Sequence, residues 1–269
     1  DRHYEKAVFP DLRLSVFCHF PEQSCMSSPK FLHRKNWSKL AEMKKESESM
    51  KTVAFVPVKL NNERLPGKNT KPFHNGDPLI CYILRTLLKT RGLDEIYVYC
   101  SNPAIQEYLP EGVTWLPRDS RLDSSSTLIL EVLQAFARDV DADTYVLAHA
   151  TAPFISRVSI ESGIIAVNSG EYDSAMTVKK LREFLWINGK PQYDTSRIPR
   201  TQDLGDLYAE TTGLYIYKKE LLMDHNRRTG DKPFLIPVSD IEACDINEPF
   251  DFEVADMVFN RFICKGEHA

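Results

Sequence analysis

From Lys51 onward the chain alternates short runs of β-branched and aromatic residues with longer amphipathic stretches. KTVAFVPV, DEIYVYCS, VTWL, DTYVLAHA and YDSAMTV predict strands. Between them PLICYILRTLLKT, a short segment from Pro103 to Leu109, a Ser-capped STLILEVLQAFARDV and ISRVSIESGIIAVNSG predict helices. This βαβ rhythm predicts an α/β fold of the Rossmann-like, doubly wound kind, a mostly parallel sheet with helices on both faces. The rhythm lapses over 181–207, where Trp186, an NGK turn and two prolines predict a hairpin and an excursion out of the sheet. Such an arm often packs on a second subunit, and a homodimer is expected. The strands LYAETTGLYIY and PFLIPV follow, and then a closing helix from about Pro249 to Phe262 with proline in its first turn. Residues 1–50 show no sustained period and read as an appendage to a domain spanning 51–269.

Composition narrows the function classes. In 269 residues, 34 Lys and Arg face 38 Asp and Glu, so no global positive field favours a nucleic-acid backbone. Apolar runs are all shorter than the roughly 18 residues that a spanning helix requires, which speaks against a membrane role. The six cysteines (Cys18, Cys25, Cys81, Cys100, Cys244, Cys264) form no C-x-x-C pair and lack histidines at ligand spacing. Several lie in apolar contexts, which fits reduced thiols in a cytoplasmic protein.

Chemistry is expected in the loops after Val58, Cys100, Ala148 and Val178, beyond the carboxyl ends of the strands. The first of these loops carries Lys59, Arg64, Lys68 and Lys71 against a single Glu63, inside a domain of net charge −6. Its Gly and Pro let the backbone approach an anion, and several cations can share the charge of a triphosphate. It is neither a Walker loop nor G-x-G-x-x-G. Spacing alone leaves a phosphate cradle and an ordinary solvated basic loop both open.

RLPGKN directly after an apolar first strand resembles the phosphate loop of the sugar-acid cytidylyltransferases, the family that makes CMP-linked sialic and related acids. HATAPF, RTQDL followed by ETTGLYIY, and ACDINEPFDFEVAD continue the resemblance in order across most of Lys51 to Phe262. The resemblance implies an enzyme that transfers CMP from CTP to the anomeric hydroxyl of a sialic-type sugar acid and releases pyrophosphate. It implies a catalytic role for Lys59, Arg64 and Lys68 on the triphosphate, and contacts from Asn69, Arg118 and Ser125 to the nucleotide. His149, Thr151, Arg200, Gln202, Tyr208, Glu210 and Thr212 would face the sugar acid. Asp245 and Asn247 would hold Mg2+ or another divalent ion. RLPGK also resembles the 3-deoxy-octulosonate branch, so another acceptor is an alternative. Where the family usually has a second Asp, Asn247 stands, and this admits a nucleotide-sugar binding protein without turnover. His149 replaces a common Gln, and Thr212 a common Asn. Each position also has a plainer reading: Asp245 and Asn247 as a turn, Arg200 and Gln202 at a subunit interface, the Ser124 to Ser126 run as a helix cap.

Overall fold

The structure, a computed structural model, describes residues 50–264. Apart from Met50, the appendage expected over 1–50 lies outside the described residues. A seven-stranded sheet has the order β3-β2-β1-β4-β8-β5-β9, built from β1 (Thr52–Val58), β2 (Glu95–Cys100), β3 (Thr114–Pro117), β4 (Thr144–Ala148), β5 (Ser174–Leu181), β8 (Leu207–Lys218) and β9 (Pro233–Pro237). Its pairings are parallel except at β8, which runs antiparallel to both β4 and β5. The expected mostly parallel, doubly wound sheet is therefore present, with one reversed strand near its middle.

Alternation along the strands divides the core between two faces. Helices α1 (Leu79–Lys89) and α3 (Arg157–Asn168) pack on Ala54, Val56, Val146 and Ile216. Helix α2 (Ile129–Asp139) and the short α4 (Lys219–Met223) cover Val53, Phe55, Tyr145, Leu147, Tyr215 and Tyr217, with Phe136 stacked on Phe55 at 3.9 Å between ring centroids. A third cluster joins Leu65 and Phe73 of the loop after β1 to Phe154, Ile246 and Phe252, the last on α5 (Pro249–Val258). That cluster fixes the basic loop and the acidic motif near the C-terminus in one place.

Local chemistry explains the remaining elements. Asn188 and Gly189, both at positive φ, turn the hairpin of β6 (Trp186–Ile187) and β7 (Lys190–Pro191), as an Asn-Gly pair prefers. The Pro103 segment is a 3-10 helix, Pro103–Tyr108, whose N-cap Asn102 accepts from the Ala104 amide. The predicted Ser cap of α2 is a correction. Ser124 and Ser126 bond each other at 2.8 Å in a turn, and α2 starts at Ile129, where Glu131 reaches back to accept from the Leu128 amide at 2.9 Å. The glutamate supplies the N3-to-N-cap half of a capping box, and among the described residues no serine side chain accepts from the first helical amides. Helix α5 has Pro249 at its first position, as expected, and gives way at Phe259–Ile263 to a π-helical turn.

Candidate active site

The order of strands reverses between β1 and β4, which places the loops following Val58 and Ala148 side by side at one edge of the sheet. Because β8 is antiparallel, its Glu210 to Gly213 segment arrives at the same edge, and the His149 amide donates to the Gly213 carbonyl at 3.0 Å.

The loop after β1 folds around Gly67, whose φ of 67° suits a residue without a Cβ. It closes into the turn Lys68–Thr70. Asn69 is buried, and its Nδ2 donates to the Lys59 carbonyl at 3.1 Å, tying the two ends of the loop. Lys68 is 8% exposed, and its Nζ donates to the Ile246 carbonyl at 2.7 Å, in the middle of the Asp-Ile-Asn run. Burial holds its ammonium below the ordinary lysine pKa. Arg64 acts in the same direction, against the opposing charges of Asp245, Asp251 and Glu248. Arg64 donates to Asn247 Oδ1 at 3.1 Å and meets Glu248 at 3.5 Å. The cationic loop and the acidic motif, 178 residues apart in sequence, are thus in direct contact.

Asp245 Oδ2 accepts from Asn247 Nδ2 at 2.7 Å and lies 3.2 Å from the Thr212 hydroxyl, whose single proton also has the Thr211 carbonyl at 2.8 Å. Asn247 has Arg64 at its oxygen and Asp245 at its nitrogen, which sets the sense of the amide. Asp251 in the first turn of α5 accepts from the Asn247 and Glu248 amides at 2.9 and 2.8 Å, and these bonds hold its carboxyl below the usual range. Thr212 has φ 56°, costly for a β-branched residue, at an irregularity where β8 carries extra residues against β5. That distortion turns its hydroxyl towards Asp245. The Thr151 carbonyl accepts from the Ile246 amide at 2.9 Å, which attaches the loop after β4 to the same motif.

His149 is half-buried. The packing around its ring, with Arg228 and Lys68 adding to it and Asp245 opposing, pushes its pKa down to about 4. It is therefore a neutral imidazole at pH 7. Glu210 accepts from the Tyr215 hydroxyl at 2.7 Å, and Tyr208 packs at the edge of the Tyr215 cluster.

Other candidates stand differently. Arg118 is buried, and its guanidinium is bound by Asp123 at 2.5 and 3.1 Å, with Ser101 on the second carboxylate oxygen. It anchors the segment after β3 to the end of β2. Lys59 Nζ reaches the Asp123 carbonyl at 3.4 Å, and Ser125 is exposed on the neighbouring turn. Arg200 and Gln202 are exposed on the arm, where Arg200 pairs with Asp203 at 2.6 Å. Among the described residues no hydrogen bond or ion pair joins either of them to the His149 and Asp245 group. Sequence reasoning missed Arg228, in the loop after α4, whose guanidinium lies 3.7 Å over the Tyr215 ring. No motif marks it; its basic neighbour Arg227 and the NRRTGD turn look like a solvated loop.

A buried lysine on a short glycine turn and an arginine beside it offer positive charge to a polyphosphate, and the oriented carboxylate across the contact would act on such an anion only through a bound cation. The sequence profile described as cytidylyltransferase matches residues 53–243, most of the chain. The chain belongs to the cytidylyltransferase family. Its relatives include CMP-N,N'-diacetyllegionaminic acid synthase of Legionella pneumophila, 30% identical over 223 residues that cover 77% of this chain and 95% of the relative. Another is 3-deoxy-manno-octulosonate cytidylyltransferase 2 of Hydrogenovibrio crunogenus, 26% identical over 185 residues, 68% of this chain and 70% of that one. The structure of CMP:2-keto-3-deoxy-manno-octonic acid synthetase complexed with CTP superposes with a TM-score of 0.59 at 15% identity, covering 78% of this chain and 99% of that one, a likeness of fold. For this cytidylyltransferase the Rossmann-like sheet and the family assignment agree with the expectations from sequence. Among the described residues no helix is long and apolar enough to cross a membrane.

Proposed function

We propose that the protein transfers CMP from CTP to the anomeric hydroxyl of a sialic-type 2-keto sugar acid, with release of pyrophosphate. The observation that carries this reading is the 2.7 Å bond from Lys68 to the Ile246 carbonyl, which sets the cationic turn against the residue that follows Asp245. Moving a cytidylyl group requires neutralising a triphosphate, aligning a hydroxyl in line with the α-phosphorus and stabilising the departing pyrophosphate. Lys59, Arg64 and Lys68 supply the positive charge along the triphosphate, and Lys68, already desolvated, acts most strongly where charge develops on the leaving group. His149, Thr151, Tyr208, Glu210 and Thr212 line the acceptor side.

A divalent ion fits the donor set in part. Asp245 Oδ2 accepts from Asn247, and among the described residues its Oδ1 receives no hydrogen bond. Mg2+ commonly takes one or two carboxylates, substrate phosphate and water, so Asp245 would hold it, while the Asn247 oxygen already accepts from Arg64. When bound, the ion neutralises phosphate charge.

The relative named for 3-deoxy-manno-octulosonate favours a second acceptor class, and Asn247 favours a second reading in which nucleotide binds without turnover. A panel of sialic, legionaminic, pseudaminic and 3-deoxy-octulosonic acids, each with CTP and Mg2+ and read by pyrophosphate, separates them. Release should require all three components and be fastest with a sialic-type acid. CTP binding with no release from any acid supports the binding protein instead.

The arm carries exposed Trp186, Ile187 and Ile198, and a homodimer through this surface is part of the proposal.

A further inference from the structure

Asn247 bridges the two halves of the candidate site. Its Oδ1 accepts from Arg64 at 3.1 Å, and its Nδ2 donates to Asp245 Oδ2 at 2.7 Å. A neutral amide can accept from a guanidinium and donate to a carboxylate at once; a carboxylate in its place could only accept. The bridge runs beside the bond from Lys68 to the Ile246 carbonyl, so two cations stand next to Asp245 and Asn247.

This arrangement offers little to a free divalent ion. Neighbouring carboxylates are engaged by the protein's own donors. Asp251 Oδ2 accepts from the Asn247 and Glu248 amides, and Glu248 Oε1 meets Arg64 at 3.5 Å. Asp245 Oδ2 accepts from Asn247, and among the described residues only its Oδ1 is left without a donor on this carboxylate. Among the described residues no three His, Cys, Asp or Glu side chains converge in a set able to hold a metal ion. Lys68 is close enough to Arg64 and Asp245 for the charge of each to act on its ammonium. A hard divalent ion needs several oxygen ligands, and here it would meet one open carboxylate oxygen flanked by two positive charges. A triphosphate changes both conditions, because it pairs with the cations and brings oxygen ligands of its own.

We propose that the protein has no standing site for a divalent ion, that the ion is bound only together with the triphosphate of CTP, and that Asn247 sets this dependence. The inference rests on the CTP reading above. An aspartate at position 247 would still accept from Arg64 but could not donate to Asp245. Two adjacent carboxylates repel unless a cation sits between them, so that change creates a site that loads the ion without nucleotide. Linkage supplies a second consequence: an ion that needs the nucleotide must strengthen nucleotide binding by the same factor.

The test titrates Mn2+ into nucleotide-free wild type, Asn247→Asp and Arg64→Gln, with the unbound ion counted by electron paramagnetic resonance. Asn247→Asp should bind Mn2+ about tenfold or more tightly than wild type, since it adds a second carboxylate ligand. Arg64→Gln removes one opposing charge and should bind it about threefold more tightly; this variant carries the test if the aspartate variant does not fold. Calorimetry of CTP binding to wild type, without acceptor, should give a dissociation constant lower by about tenfold or more in Mg2+ than in EDTA. Mn2+ bound by wild type as tightly as by either folded variant overturns the proposal alone, and so does a CTP affinity indifferent to Mg2+. No CTP binding in either Mg2+ or EDTA overturns the CTP reading and this proposal together.

Discussion

At the level of single residues, the candidate site sets one buried cation among more exposed charges. Lys68 is buried with one carbonyl as its partner, and removing it discards both a cation and the link to the acidic motif. Lys68→Met, which keeps the stem, should lower kcat/KM by about 10²- to 10³-fold, the range found for losing one pre-organised electrostatic contact, with CTP kinetics as the check. His149 gives a pH prediction of definite sign. Its folded pKa of about 4 is below the ordinary value of 6.5, so between these limits the unfolded chain binds the extra proton. Stability should therefore fall on acidification through that window, by up to about 1.4 kcal/mol per pH unit for this group. Urea midpoints measured from pH 7 to pH 4.5 should show a shallower decline in His149→Gln; parallel curves would mean that the ring is not desolvated. Residues such as Lys68, Asn69 and Asp245 were legible in the sequence because each sits in a short motif beside a recognisable element. The stack of Arg228 on Tyr215 was not, because it joins positions 13 apart through a loop whose composition resembles any polar turn. The pairing of Arg118 with Asp123 was equally hidden, since a cation gripped by a neighbour and one awaiting a phosphate have the same sequence.

Among the elements, those with strong apolar period were readable from sequence and those decided by side-chain bonding were not. Strands β1 and β4 are apolar after an opening Thr because both their faces are covered, and this distinguishes them from any surface segment. The direction of β8 does not show in its composition. It follows from the excursion, which carries the chain out past the carboxyl edge and returns it along the sheet. The start of α2 was misread because a serine run and a glutamate in the first turn are competing signals, and the glutamate won. The segment from Glu210 to Gly213 is tightly constrained. A Cβ on Gly213 would come within 2.7 Å of the Ala152 Cβ and 3.2 Å of Ile155. Gly213→Ala should cost about 1–3 kcal/mol, the usual range for overpacking. It should also raise the acceptor KM, because the loop it pushes holds His149 and the Thr151 carbonyl. Thermal denaturation and initial rates test the two parts, and a wild-type acceptor KM would place that loop away from the acceptor.

On the scale of the whole molecule, two long-range closures bring the candidate site together: the strand order reversing between β1 and β4, and the third hydrophobic cluster drawing α5 against the loop after β1. The fold class was readable because alternation of element types is a global pattern, whereas the distance between Lys68 and Asp245 depends on packing that no local period encodes. The arm projects apolar surface, with Trp186 59% exposed. If that surface is a subunit contact, Trp186→Ser with Ile187→Ser should convert a dimer to a monomer in sedimentation velocity; a monomeric wild type would remove the dimer from the account. The central claim, that basic turn and acidic motif hold one nucleotide between them, is tested most directly by the electron density of crystals grown with CTP and Mg2+. The account predicts the triphosphate against Lys59, Arg64 and Lys68, with Asp245 on its opposite side. Density for the nucleotide elsewhere, with Lys68 and Asp245 both untouched, would contradict it.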